Sequence, residues 1–138
     1  MTMTSESEPG IYVADAHSLV WFIAGDARLS KAVEHLLERA ELAEIQVLVP
    51  TIVLAEMTYI AHKKKAAITI EEVVQRIEQG DGFTIVPFDA TIFRVMLQFP
   101  EEREIHDRII AATAAYYQAT VITKDEVLRN AQQIKTIW

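Results

Sequence analysis

The sequence has 138 residues, a formal net charge of −7 at pH 7, no cysteine and 51% hydrophobic residues. This length fits one domain with a compact core. The absence of cysteine excludes disulfides and thiolate metal sites and suits a reducing, cytoplasmic setting. No apolar run reaches the roughly 18 residues of a membrane span. The negative charge argues against binding nucleic acid through global charge, but it allows a local basic surface or a metal in an acidic pocket.

The first residues, MTMTSESEPG, lack both the basic patch and the apolar core of a signal peptide. We therefore predict a disordered N-terminal tail over residues 1–9 and a single folded domain over residues 10–138. No internal repeat divides that domain.

Short apolar or β-branched runs alternate with helical patterns along the chain. This alternation predicts an α/β fold of three layers, α/β/α, around a parallel sheet. The predicted strands are 11–14, 47–49, 83–86, 120–122 and, at an edge of the sheet, 135–138. The predicted helices are 18–24, one capped by Ser30, one from a cap at Thr51 to about Lys65, 70–79, one from a cap at Asp89 to Phe99, one after Arg103, and a short one from Asp125.

Hydrophobic spacing also predicts which faces of two helices are buried. On the helix after Ser30 the inner face should comprise Val33, Leu36, Leu37, Ala40 and Leu42. On the helix after Arg103 a stripe begins at Ile105 and continues through Ile109 and Ala112. Most of the apolar run 19–23 is expected in the core.

Four acidic residues stand where α/β sheets hold their ligands, outside the carboxyl ends of strands. Asp15 follows the first strand, Asp125 lies beyond the fourth, Asp107 is in the first turn of the helix before it, and Glu56 is on the helix after the second strand. Each aspartate alone is explained equally well as a helix cap or first-turn acid. Glu56 has almost entirely apolar neighbours in the sequence. Its side chain could lie on a solvated stripe of the helix or point inward towards a cation, and both alternatives stay open. Converging carboxylates would raise one another's pKa unless a divalent cation lay among them, and such oxygen ligands suit Mg²⁺ or Mn²⁺.

Four strings, in the right order, carry a family resemblance: ADAHSLVWFIAGDARLS, LAEM, HDRIIAATA and VITKDEVL. Together they resemble the PIN domain, specifically the VapC-type toxins of bacterial toxin–antitoxin pairs, from about Ile11 onward. The resemblance implies strand order 3-2-1-4-5 and a Mg²⁺- or Mn²⁺-dependent endoribonuclease that cleaves RNA phosphodiester bonds with a metal-activated water. It assigns the metal-binding and catalytic roles to Asp15, Glu56, Asp107 and Asp125. Ser18 and Thr123 match supporting hydroxyl positions, whereas Ala16 departs from the Thr or Ser of many members.

The same resemblance implies partners. It implies a homodimer and a cognate antitoxin protein, and an acidic pocket should attract an arginine of that antitoxin because a guanidinium binds carboxylates bidentately.

The basic run of the sequence is His62 to Lys65. Lys63, Lys64 and Lys65 are weak candidates for contact with RNA phosphates, and a solvated helix end explains each of them as well. His17 and His106 each adjoin an acid of the quartet. Neighbours on a helix diverge by about 100°, so we expect outward or structural roles for both histidines.

Two readings outside nuclease chemistry remain open. A phospho-receiver domain shares the βα alternation and a Thr-Lys pair after the fourth strand, but it needs an aspartate where this chain has Pro87 and Phe88. A catalytically silent PIN scaffold would act only through protein contacts, and retention of all four acids argues against it. A flap-type DNA nuclease uses similar acids but needs long insertions for which this chain has little room.

Overall fold

A five-stranded parallel sheet with the order β3-β2-β1-β4-β5 forms the centre of the molecule and is flanked by helices, as predicted. The computed structural model describes residues 10–63, 68–101 and 103–138, so the predicted tail over 1–9 and the candidates Lys64 and Lys65 lie outside the described residues. The strands are β1 Ile11–Ala14, β2 Gln46–Pro50, β3 Phe83–Val86, β4 Thr120–Ile122 and β5 Lys135–Ile137. The helices are α1 Ala16–Ala24, α2 Lys31–Glu41, α3 Thr51–Lys63, α4 Ile70–Gln79, α5 Ala90–Met96, α6 Ile105–Tyr117 and α7 Glu126–Arg129.

The register of the sheet aligns the ends of three adjacent strands. Ala14 of β1 pairs with Ile122 of β4, and Ile122 pairs with Ile137 of β5. The backbone ladder continues one residue further, because the Asp15 amide donates to the Ile122 carbonyl at 3.2 Å and the Thr123 amide donates to the Ile137 carbonyl at 3.1 Å. The next residues in the three strands, Asp15, Thr123 and Trp138, therefore stand together at one edge of the sheet.

The helix boundaries follow local capping chemistry. Ser30 and Asp89 cap α2 and α5 as predicted, each accepting a bond from the amide three residues on. Gly25 ends α1 with a φ of 68°, a left-handed conformation that costs glycine little. The prediction that Thr51 caps α3 was wrong. Thr51 is the first helical residue of α3, and its hydroxyl instead accepts from the Phe88 amide at 3.2 Å, tying α3 to the segment after β3.

Two other positional predictions are corrected. Leu42 is 69% exposed because α2 ends at Glu41 and Leu42 is its C-cap, so it leaves the inner face. Ile105 is 46% exposed because it is the first residue of α6, whose buried residues begin one turn later at Ile109. Helix α5 ends at Met96, three residues before the predicted end.

The core agrees with the predicted hydrophobic pattern elsewhere. Within the run 19–23 of α1, Leu19, Val20 and Phe22 are buried, while Trp21 and Ile23 are partly buried and pack against the core. Among the residues with described structure, no helix is both long and apolar enough to cross a membrane.

Candidate functional site

A cavity of about 400 Å³ opens at the carboxyl ends of β1 and β4. Its walls come from α1 and the residue before it, from α3 and α6, from the segment after β4, from α7, and from the residue after β5. All four predicted acids line it together with seven other residues: Asp15, Glu56, Asp107, Asp125, Ala16, His17, Trp21, Ile110, Lys124, Leu128 and Trp138. The structure thus brings together the acids that the sequence places on four separate elements.

Asp15 is both the N-cap of α1 and a wall of the cavity. Its Oδ1 accepts from the Ser18 amide at 2.9 Å, and the Ser18 hydroxyl donates to the Asp15 carbonyl at 2.9 Å. Burial raises the pKa of Asp15, and hydrogen bonds from Thr123 and Ser18 oppose that rise. The two predicted supporting hydroxyls, both completely buried, therefore contact this carboxylate or its backbone.

Asp125 has the same double role at α7. Its Oδ1 accepts from the Val127 amide at 2.8 Å, which caps the helix. Its own amide donates to the Thr123 hydroxyl at 3.0 Å. The capping and cavity-lining interpretations of these aspartates are therefore compatible, because one carboxylate oxygen is enough for the cap.

Glu56 and Asp107 enter the cavity from α3 and α6, and both are half-buried. Burial is the largest cause that raises the pKa of Asp107 to about 6, and repulsion from Asp125, Glu104 and Glu56 adds to it. Burial also raises the pKa of Glu56; His106 opposes this and Asp15 reinforces it. Of the two orientations left open for Glu56, the inward one is observed.

Glu104 is an acidic residue near the cavity that was not predicted from the sequence. It caps α6 by accepting from the amides of His106 and Asp107, at 3.0 and 3.3 Å, and its Oε2 lies 2.9 Å from Nδ1 of His106. His106 thus has the structural role expected of it. Glutamate is not among the residues preferred at N-caps, so little in the sequence pointed to the role of Glu104.

His17 faces outward, as expected, and also contributes to the cavity wall. Its ring centroid lies 5.3 Å from that of Trp21 one helical turn later. Trp21, Lys124 and Trp138 also line the cavity and were not predicted as site residues. Trp138 reaches it because β5 extends the sheet beside β4, a pairing that no local pattern reveals.

Lys63 lies outside this cavity. It is exposed at the end of α3, where its ammonium sits 5.7 Å from the ring centroid of Tyr59. Its role in RNA contact stays a prediction, and the other two lysines of the run lie outside the described residues.

The family model of the PIN domain matches residues 12–133, which is most of the chain and includes all four acids of the cavity. The chain belongs to the PIN domain family. PIN domains are in general nucleases, and they generally use divalent metals. No curated protein matches this PIN domain in sequence.

Three solved structures illustrate the similarity of this PIN domain to known proteins. VapBC2 from Rickettsia felis, bound to a promoter DNA fragment, is 18% identical with a TM-score of 0.67, over 92% of this chain and 97% of that one. FitAcB from Neisseria gonorrhoeae is 22% identical with a TM-score of 0.65, over 92% and 96%. A toxin–antitoxin complex from Klebsiella pneumoniae is 18% identical with a TM-score of 0.63, over the same shares. At these identities the likeness establishes the fold.

The chemistry of the cavity fits a divalent cation. Four carboxylates share one space, and burial raises the pKa of three of them, Asp15, Glu56 and Asp107, so a cation would relieve both desolvation and repulsion. Among the residues that the structure describes, however, no three acidic or histidine side chains lie close enough to coordinate one ion. Binding would therefore require these side chains to move closer together.

Proposed function

We propose that this PIN domain is a Mg²⁺- or Mn²⁺-dependent endoribonuclease and the toxin of a VapBC-like toxin–antitoxin pair. The observation that carries the proposal is the single cavity lined by Asp15, Glu56, Asp107 and Asp125 from four elements. Carboxylates so placed serve as hard oxygen ligands, and the family to which the chain belongs is one of nucleases.

The metal ligands in this proposal are the four acids. When bound, the ion supplies a water nucleophile at neutral pH and neutralises charge on the phosphoryl oxygens. Asp15 and Asp125 are each held by a backbone amide through Oδ1. Their rotamers are thereby restricted before any ligand arrives, which reduces the cost of organising the site. Glu56 and Asp107, from α3 and α6, are the acids left to adjust.

Thr123 and Ser18 act on the acids and not on substrate. Both hydroxyls are completely buried, and both lower the pKa of Asp15 against the effect of burial. This favours the ionised carboxylate that a metal ligand must be.

The partners in this proposal are an RNA substrate, an antitoxin and a second copy of the chain. Similar structures come from toxin–antitoxin complexes, which supports an antitoxin partner. An acidic cavity suits an arginine from that antitoxin, because a guanidinium pairs bidentately with carboxylates. Phe93 and Leu97, one turn apart around α5, are 46% and 58% exposed and offer apolar surface for a homodimer.

The test is cleavage of a mixed RNA pool by the purified chain. We expect internal cuts with Mn²⁺ or Mg²⁺, none with chelator, and none from Asp15→Asn. Glu38→Gln, on the exposed surface of α2, is the matched control and should cut normally. A chain that folds and binds Mn²⁺ but leaves RNA and DNA intact would instead support the silent scaffold.

The phospho-receiver alternative is disfavoured by topology. Receiver-type sheets have the order 2-1-3-4-5, whereas this sheet has the order 3-2-1-4-5. Pro87 and Phe88 directly follow β3, at the place of the receiver's phosphate-accepting aspartate, and the next aspartate, Asp89, is engaged as the cap of α5.

A further inference from the structure

Both tryptophans of the chain line the cavity that holds the four acids. Trp21 is on α1, which Asp15 caps, and Trp138 follows β5. Their ring centroids lie 5.9 Å apart at an interplanar angle of 71°, an edge-to-face pair. Both side chains are only partly buried, so each retains ring surface that other groups can contact.

Cationic and aromatic groups surround Trp21. The Lys124 ammonium lies 5.9 Å and the Arg28 guanidinium 4.8 Å from its ring centroid. Arg28 is already paired with Asp26 at 2.7 Å. Lys124 is exposed, lines the cavity, and takes part in no ion pair within the described ranges. The ammonium group of Lys124 can therefore bind a phosphate group of a ligand that enters the cavity.

Electrostatics alone does not bring RNA to this cavity. The chain carries a net charge of −7, and four of its carboxylates are gathered in the cavity, so phosphate groups are repelled until a metal is bound. Bases are neutral, and their stacking on aromatic rings is insensitive to the charge of the site. Stacking on aromatic side chains, together with basic groups that follow the backbone, is the general way in which proteins bind single strands.

We propose that His17, Trp21, Lys124 and Trp138 form a nucleotide subsite beside the acids. A base of single-stranded RNA, adjacent to the phosphate that is cut, stacks on the tryptophan pair, and Lys124 contacts a neighbouring phosphate. The proposal rests on the proposed ribonuclease function and names how that site holds its substrate. Any base can stack on an aromatic ring, so this subsite raises the affinity for RNA and positions the strand, but it discriminates little between RNA sequences.

A purely structural role for the tryptophans makes a different prediction. Both pack against the core at the end of the sheet. If packing were their entire role, their replacement would lower stability and leave the affinity of the folded protein for RNA unchanged. Affinity, measured on folded protein, therefore separates the two roles.

Tryptophan fluorescence tests the subsite directly, because no tryptophan lies elsewhere in the chain. The full chain is titrated with a single-stranded hexaribonucleotide in chelator, so that no cleavage occurs, and at physiological ionic strength, so that repulsion between the acids and the RNA phosphates is screened. A hexamer with abasic sugars is the matched ligand. We expect the emission to change with the first ligand, in parallel with binding measured by anisotropy of labelled RNA, and not with the second.

Variants then assign the effect to residues. Trp138→Leu and Trp21→Leu should each weaken binding roughly tenfold, the scale for loss of one stacked base, whereas Trp138→Phe should retain most of the affinity. Lys124→Gln should weaken binding of both hexamers and flatten the salt dependence. Phe83→Leu removes a partly buried aromatic ring from β3, outside the cavity, and should leave binding unchanged.

Failure of this inference is distinguishable from failure of the proposed function. RNA that binds by anisotropy without changing the tryptophan emission, and equally well to the folded leucine variants, would overturn the subsite even if Mn²⁺-dependent cleavage is robust. A base-dependent emission change without cleavage in Mn²⁺ would support the subsite and overturn the nuclease.

Discussion

The Thr123 hydroxyl accepts a hydrogen bond from the Asp125 backbone amide at 3.0 Å, and the same side chain is completely buried beneath the acidic cavity. It also hydrogen-bonds Asp15, which lowers the pKa of that carboxylate. One hydroxyl therefore positions two of the four acids, one through its backbone and one through its side chain.

We predict that Thr123→Val lowers Mn²⁺-dependent cleavage about tenfold and the free energy of unfolding by about 1 kcal/mol. The valine preserves the shape of threonine but removes both bonds. Thr123→Ser keeps the hydroxyl and is the control, which should retain most activity. Equal losses in the valine and serine variants would mean that packing of the methyl group, and not hydrogen bonding, matters here.

Asp107→Asn should abolish cleavage and stabilise the metal-free protein. The pKa of Asp107 is raised from 3.8 to about 6 in the folded state, so its ionised form is less favourable there than in the unfolded chain. The native state loses stability from this group as pH rises from about 4 to about 6, and the cost is constant above that range. Asparagine carries no charge, so the free energy of unfolding of the variant should exceed that of the wild type by an amount that grows across this pH range. The difference should reach only about 1 kcal/mol, because Asp107 is half-exposed and solvent screens its charge.

Thermal unfolding of both proteins in chelator, between pH 4 and pH 8, measures that advantage. Asp81→Asn, at an exposed position outside the cavity, is the matched control. A stability gain of the Asp107 variant that is the same at pH 4 and pH 8 would show that relief of the buried charge is not its cause.

Mn²⁺ should raise the melting temperature of the wild-type chain, because a ligand that binds the folded state alone stabilises it by about 2.7 kcal/mol at 100 times its Kd. Asp15→Asn and Glu56→Gln should each remove most of that increase, whereas Glu38→Gln on α2 should not. The measurement is a thermal shift against Mn²⁺ concentration at pH 7. The same increase in the cavity variants and the wild type would place the ion elsewhere.

The antitoxin and the metal should compete. If an arginine of the antitoxin pairs with Asp15, Asp107 or Asp125, then Mn²⁺ and the antitoxin share ligands, and each weakens binding of the other by the same factor. Adding Mn²⁺ should lower antitoxin affinity, and replacing that arginine by alanine should abolish the dependence. Calorimetry with and without Mn²⁺ measures it, and an affinity indifferent to Mn²⁺ would indicate inhibition from outside the cavity.

The exposed apolar pair on α5 should form the homodimer contact. Phe93→Glu combined with Leu97→Glu places two charges in that surface and should yield monomers at micromolar concentration by light scattering. Leu42→Glu is the control, since Leu42 is 69% exposed at the end of α2. The idea fails if the wild type is monomeric, or if the control dissociates the dimer as completely as the α5 variant.

The sequence predicts the strands and acids of this protein well because both depend on local patterns. Runs such as Thr120–Ile122 are short, β-branched and buried, and an acid after a strand end is visible without knowing the fold. The strand order came from the family resemblance. Glu104 and Trp138 escaped prediction for different reasons. The effect of Glu104 on Glu56 depends on how α6 lies beside α3, and Trp138 reaches the cavity because β5 pairs with β4.

Leu42 and Ile105 show the limit of periodicity. Both continue an apolar stripe at helical spacing, yet each sits at a helix end and is exposed. Spacing identifies the face of a helix, whereas the cap decides how many turns of that face are covered.

The adjacency of β1 and β4 has a consequence for synthesis of the protein. The chain makes β1, β2 and β3 first, so one side of β1 has no neighbour until residues 120–122 emerge. A nascent or truncated chain ending before α6 therefore lacks Asp107 and Asp125 and exposes an unpaired strand edge at the centre of the future sheet, where aggregation begins most easily. On the proposed function, such a fragment lacks two of the four metal ligands, and we expect nuclease activity only from chains in which β4 has paired with β1.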